Sequence, residues 1–151
     1  MNITTPSFGL ELTPQADAAD TGTPERAQDG WVRVRVRAGV CGFRADFEAR
    51  TQRESLRRFE RELGAMQARD ARAKRAELTC DEPGIDLRLE AREAGTIEGH
   101  FALESERRGG AWTTLSGTIE LDPGALPAIR QSILELLEAL ERQGAEMRGQ
   151  A

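Results

Sequence analysis

Three pairs of side chains have the types and spacing for chemistry: Asp46 with Glu48, Asp86 with Glu90, and Glu98 with His100. Members of each pair stand an even number of residues apart within an alternating run, so on a β-strand both project from one face. Two carboxylates so placed suit acid–base work at a glycosidic bond or ligation of a hard cation, and a carboxylate beside imidazole suits proton transfer. None of the pairs is specific, because acidic residues at strand period are what any solvated sheet face carries. His100 is the single histidine and falls on the charged face beside Glu98 and Ala102, where a histidine is far more often a surface residue than a catalyst. Cross-strand neutralisation accounts for the acids without a ligand. Arg33, Arg35 and Arg37 stand one hairpin turn from Arg44, Asp46 and Glu48, where opposite charges contribute roughly 0.2–1 kcal/mol per pair. The chain has no Tyr and none of the GxSxG, P-loop, GxGxxG or HExxH motifs, so hydrolase, kinase and dehydrogenase readings have no residues to stand on. Cys41 and Cys80 form no CxxC pair and read as two buried thiols acting as small apolar groups. No metal or cofactor is implied.

The elements that must position these groups are legible from hydrophobic period. Trp31-Val32-Arg33-Val34-Arg35-Val36-Arg37 alternates without error and describes a strand with one buried and one wet face. A turn over Ala38–Gly42 leads to a second alternation, Phe43, Ala45 and Phe47 against Arg44, Asp46 and Glu48, which makes a β-hairpin. Phe8, Leu10 and Leu12 suggest a short first strand over 1–12, and the Pro-, Gly- and Asp-rich stretch 13–30 reads as a flexible loop. Thr51 with Glu54 has the pattern of a capping box, followed by Leu56, Phe59, Leu63 and Met66 on one helical face. Period two returns at Leu78 and Cys80, in Ile85–Ala91, in Ile97–Leu103 and in the last strand from Trp112 to Leu121. Asp122-Pro123 then opens a helix whose stripe is Leu126, Ile129, Ile133, Leu136, Leu137 and Leu140. The expected fold is α+β: one antiparallel sheet of six to seven strands with two amphipathic helices packed on one face. Residues 31–143 form the sheet and helix core of a single domain, and 144–151 a frayed tail.

Composition narrows the partners. At 151 residues the chain can bury roughly 70% of its unfolded surface in one core. A net charge of −5 argues against a generic nucleic-acid binder, even though residues 44–75 carry ten basic and six acidic side chains. Arg69, Arg72, Lys74 and Arg75 form the densest basic cluster and read as a solvated connection. Nucleic-acid binding through the Arg ladder would need aromatics interleaved on the same exposed face, whereas Phe43, Phe47 and Phe101 fall on the apolar side and Trp31 and Trp112 sit at strand ends as core-edge residues. No signal peptide or bilayer-spanning run is present, so a cytoplasmic location is expected, with no membrane partner.

The sequence of strands and turns resembles the WapI-like family of small bacterial immunity proteins, associated with polymorphic toxin systems. The resemblance rests on an early Leu-Glu-Leu strand, a variable loop, Asp29-Gly30-Trp31 leading into the Val-Arg ladder, and a second strand with a capped helix. It continues through Glu82-Pro83-Gly84-Ile85-Asp86-Leu87 to Ile119-Glu120-Leu121-Asp122-Pro123-Gly124 and the closing helix. Gly84 stands where the family commonly carries Asn, a change that keeps a left-handed turn accessible. The resemblance implies a non-enzymatic protein that neutralises a cognate toxin domain by direct binding, with a basic nuclease as one toxin class that an acidic inhibitor would be steered towards. It supplies no catalytic residues. The expected partner surface is the charged sheet face: Arg33, Arg35, Arg37, Asp46, Glu48, Asp86, Arg88, Glu90, Glu98, His100 and Glu104. A small ligand- or metal-binding module using that face is the alternative, favoured if the face is deeply concave. Either a monomer or a homodimer formed through an exposed strand edge is compatible with the sequence.

Overall fold

The computed structural model describes residues 1–15, 30–68, 73–80, 84–93, 95–106 and 110–149. Strands β1 (Asn2–Thr4), β2 (Phe8–Pro14), β3 (Trp31–Val40) and β4 (Phe43–Gln52) precede helix α1 (Arg53–Gln67). Strands β5 (Arg75–Cys80), β6 (Ile85–Ala91), β7 (Ile97–Glu106) and β8 (Trp112–Leu121) follow, then a 3₁₀ turn at Pro123–Ala125 and helix α2 (Leu126–Gly149). Each run of four strands is an antiparallel meander in chain order, so there are two four-stranded sheets and not one sheet of six to seven strands. Alternation reports which face of a strand is wet and which neighbours a short turn joins. It carries no signal for whether β4 and β5, separated by a helix, share hydrogen bonds, and here they do not.

The strand faces meet in one core. Phe8 of β2 and Phe101 of β7 stack with ring centroids 4.7 Å apart, so the sheets pack on each other as well as on helices. Helix α1 lies along β5 and α2, while α2 lies on β1 and β2. Every residue of both expected helical stripes is buried, as are Val34 and Val36 of the ladder, each 0% exposed. Glu60 of α1 accepts a hydrogen bond from Arg130 Nε of α2 at 2.6 Å, and Arg57 reaches Glu141 at 2.9 Å, tying the two helices across their polar seam.

Several local readings change. The expected capping box does not form: Thr51 is buried at the end of β4, and Glu54 pairs with Arg61 at 2.8 Å. The N-cap is Gln52, and the Arg53 N–H donates to the Gly30 carbonyl at 2.9 Å, a long-range substitute for a side-chain cap. Asp122 does cap, accepting from the Gly124 N–H at 2.7 Å. The β3–β4 hairpin closes on Cys41-Gly42 with φ of 45° and 91°, so the strand runs through Gly39 to Val40 and the turn is shorter than 38–42. That position leaves Cys41 exposed, while Cys80 is buried as expected. Gly84 is not left-handed; its carbonyl accepts the Glu104 N–H at 2.9 Å. Strand β1 precedes the expected first strand, and α2 continues through 144 to Gly149, where a frayed tail was expected. The loop read over 13–30 and the basic cluster at Arg69 and Arg72 lie largely outside the described residues.

Candidate functional site

With two sheets, the charged residues expected on one face divide between two. On the first sheet the register sets Arg37 opposite Asp46 and Arg35 opposite Glu48, with Glu11 of β2 on the other side of Arg37. Arg35 forks onto Asp46 with Nε at 2.7 Å and Nη2 at 3.0 Å, and Arg37 lies 3.8 Å from Asp46 and 3.6 Å from Glu11. The hydrogen bond from Arg35, with the charges of Arg35 and Arg37, holds the Asp46 carboxyl below the usual carboxylate range. Most of the ladder is thus neutralised within the chain.

The second sheet carries Asp86, Arg88, Glu90, Glu98, His100 and Glu104. Arg88 is opposite both Glu77 and His100, and its Nε is 2.5 Å from Glu77, which also pairs with Arg75. Glu90, Glu98 and Glu120 form a row across β6, β7 and β8. Arg92 neutralises part of it, bonding Glu98 at 2.6 and 3.0 Å and approaching Glu90 at 3.6 Å. His100 Nε2 is 2.7 Å from Glu98, so this pair meets. Both oxygens of Glu98 are engaged by Arg92, which is the main reason its carboxyl sits below the ordinary range. A carboxylate so stabilised is a poor proton acceptor, and the dyad lies on an open strand face. Asp46 and Glu48 project beside one another on β4 but engage Arg35 and the solvent, and Asp86 is exposed. Among the described residues no group of three His, Cys, Asp or Glu side chains could hold a metal ion.

A groove gathers aromatic and charged side chains from both sheets. It has a volume of about 630 Å³ and is lined by Arg33, Phe47, Glu48 and Arg50 of the first sheet and by Glu106 and Trp112 of the second. Strand β4 is one edge of its sheet and β8 one edge of the other, and the groove takes its lining from both sheets. Arg33 and Arg50 are directly opposite in the β3–β4 register. Trp112 is 54% exposed and Phe47 half-buried. Buried-on-binding tryptophan and arginine are the side chains that dominate binding energy at protein interfaces.

Of the expected surface, only Arg33 and Glu48 line this groove. Trp112, Arg50 and Glu106 were missed. The signal for Trp112 was present: its parity in β8 matches Thr114, Ser116, Thr118 and Glu120, not the apolar set Leu115, Ile119 and Leu121. Phe43 also departs from its apolar assignment, being 68% exposed beside the hairpin turn.

The chain belongs to the WapI-like immunity protein family, whose profile matches residues 3–141. No curated protein matches it. Among the described residues no helix is long and apolar enough to cross a membrane.

Proposed function

From that membership we propose that the protein is a non-enzymatic immunity protein that neutralises a cognate toxin domain by binding it, with the Trp112 groove as the docking centre. The family match over residues 3–141 carries the functional reading, and the side-chain content of the groove supports its placement there. Trp112 and Phe47 provide apolar area, and Arg33, Arg50, Glu48 and Glu106 provide charges of both signs at its rim. Desolvated aromatics at the centre with polar groups around them are the usual anatomy of an affinity-bearing patch. The neutralised ladder at Arg35, Arg37 and Asp46, and the second-sheet residues Asp86, Arg88, Glu90, Glu98, His100 and Glu104, contribute a charged periphery that sets approach and register more than affinity.

The net charge of −5 favours encounter with a basic toxin surface, and a nuclease domain is the toxin class that fits it. Protection would occur in the cytoplasm, where such a toxin meets nucleic acid. Co-expression with any toxin domain found encoded next to the gene tests the proposal: it predicts rescue of growth and co-purification of a complex, and the absence of both refutes it.

A further inference from the structure

A sheet edge presents unpaired backbone N–H and C=O groups, and proteins protect such edges by covering them, charging them or bulging them. Three of the four edges here are protected. At β1 the Asn2 N–H donates to Ser132 Oγ of α2 at 2.9 Å, and at β5 the Glu77 N–H donates to Glu62 Oε2 of α1 at 2.8 Å. Strand β4 is studded with Arg44, Asp46, Glu48 and Arg50. Among the described residues strand β8 has none of these devices. It runs for ten residues in unbroken register with β7, without proline or bulge, and Glu120 is its single charged residue. Trp112, Thr113, Thr114, Ser116, Gly117 and Thr118 are all exposed. Among the described residues β8 is hydrogen-bonded to β7 alone.

We propose that β8 is a self-association edge: two copies pair their β8 strands antiparallel about a two-fold axis through Ser116, joining two four-stranded sheets into one continuous sheet. The sequence of the strand selects a second copy as occupant. Facing residues of an antiparallel pair share a face, so a two-fold axis normal to the sheet must pass through a residue. Centring on Ser116 or on Gly117 gives nearly complete overlap. A Gly117 centre sets glycine against glycine. A Ser116 centre sets Leu115 against Gly117 of the second copy, supplying apolar cover beside the Phe101 ring that lies 3.0 Å from where a Gly117 Cβ would be. It also sets Thr114 against Thr118, a favourable cross-strand pair. Glu120 then meets Trp112, so no like charges oppose one another. One strand per copy falls short of the roughly 1,600 Å² of a standard interface, so the dimer is concentration-dependent.

The pairing sets Glu120 of the second copy beside Trp112, at the margin of the proposed docking groove, and it is tested on the full chain without a toxin domain. Light scattering over a range of concentrations should show the mass rising from 16.6 kDa towards twice that value. Ser116→Lys, at an exposed position, places two ammonium groups on the axis and should hold the protein monomeric with an unchanged circular dichroism spectrum. In a Cys41→Ser background, Ser116→Cys should crosslink to itself on oxidation. Thr118→Cys should not crosslink alone but should do so when mixed with Thr114→Cys. A wild-type chain that stays monomeric at every concentration overturns the proposal, as does a dimer that survives Ser116→Lys and gives no Ser116→Cys crosslink. A monomer whose β8 amides gain exchange protection only when a toxin domain is bound overturns it in favour of strand addition by the toxin.

Discussion

Replacing Trp112 by alanine is the sharpest perturbation of the proposed docking centre, and its size follows from the side chain's exposure. A tryptophan buries about 150–250 Å² when fully covered. With 54% of Trp112 still open to water, roughly 80–135 Å² remain for a partner to cover. At about 25 cal/mol per Å² that is about 2–3 kcal/mol, a loss of about 30- to 150-fold in Kd. Because the ring is half in water before binding, the folded state gives up little, and the urea midpoint of W112A should stay close to the parent's. Titration calorimetry with the toxin domain reads the affinity. Phe43→Ala is the matched control: that ring is 68% exposed at the hairpin turn but does not line the groove, so its removal should leave Kd nearly unchanged. A W112A protein that binds as tightly as its parent, or a Phe43→Ala protein that loses more, refutes the placement of the docking centre.

Further outcomes concern the fold. A Cβ at Gly99 would lie 2.5 Å from Ile119 Cγ1 and 3.0 Å from Leu89 Cδ2, so Gly99→Ala should cost about 1–3 kcal/mol in urea unfolding. Gly9→Ala, with nothing within 4 Å, should be neutral or slightly stabilising. Burial lowers the Met1 amine from 8.0 to about 6 against the opposing pull of Glu11 and Glu135, while the amine donates to the Leu12 carbonyl at 2.8 Å. Between those values the unfolded chain holds a proton that the folded chain does not, so the amine's contribution is present above pH 8 and is lost as pH falls towards 6. The ceiling is about 2.7 kcal/mol for a shift of this size, lowered by water that reaches the amine. A urea midpoint higher at pH 6 than at pH 8 contradicts this.

The parts of the structure that were legible are those set by local period. Val34 and Val36, the Leu56–Met66 stripe and the Leu126–Leu140 stripe all lie in the core because burial of one face per element is written into spacing alone. Turn chemistry was partly legible: Asp122 caps because its carboxylate reaches an amide two residues away, whereas Thr51 lost that role to a tertiary contact, the Gly30 carbonyl. The division into two sheets was not legible, since β4 and β5 alternate in the same way whether or not their backbones pair. That single unknown scattered the expected site. Asp46 and Glu98 were assigned to one charged face and lie on separate sheets, and the groove at Trp112 is lined from both. The Arg ladder was partly legible: the hairpin register brings Asp46 within reach of Arg35 and Arg37, whereas the contact of Arg37 with Glu11 of β2 and the placement of Arg33 opposite Arg50 were not anticipated.

The central claim is that this chain silences a toxin by occupying it. The direct measurement is the activity of a purified candidate toxin domain, titrated with the purified chain. Loss of activity that is complete at a fixed molar ratio, with the titration displaced to higher concentration for W112A, is the predicted result. Toxin activity that is unchanged by excess chain, with no complex detected, would contradict it.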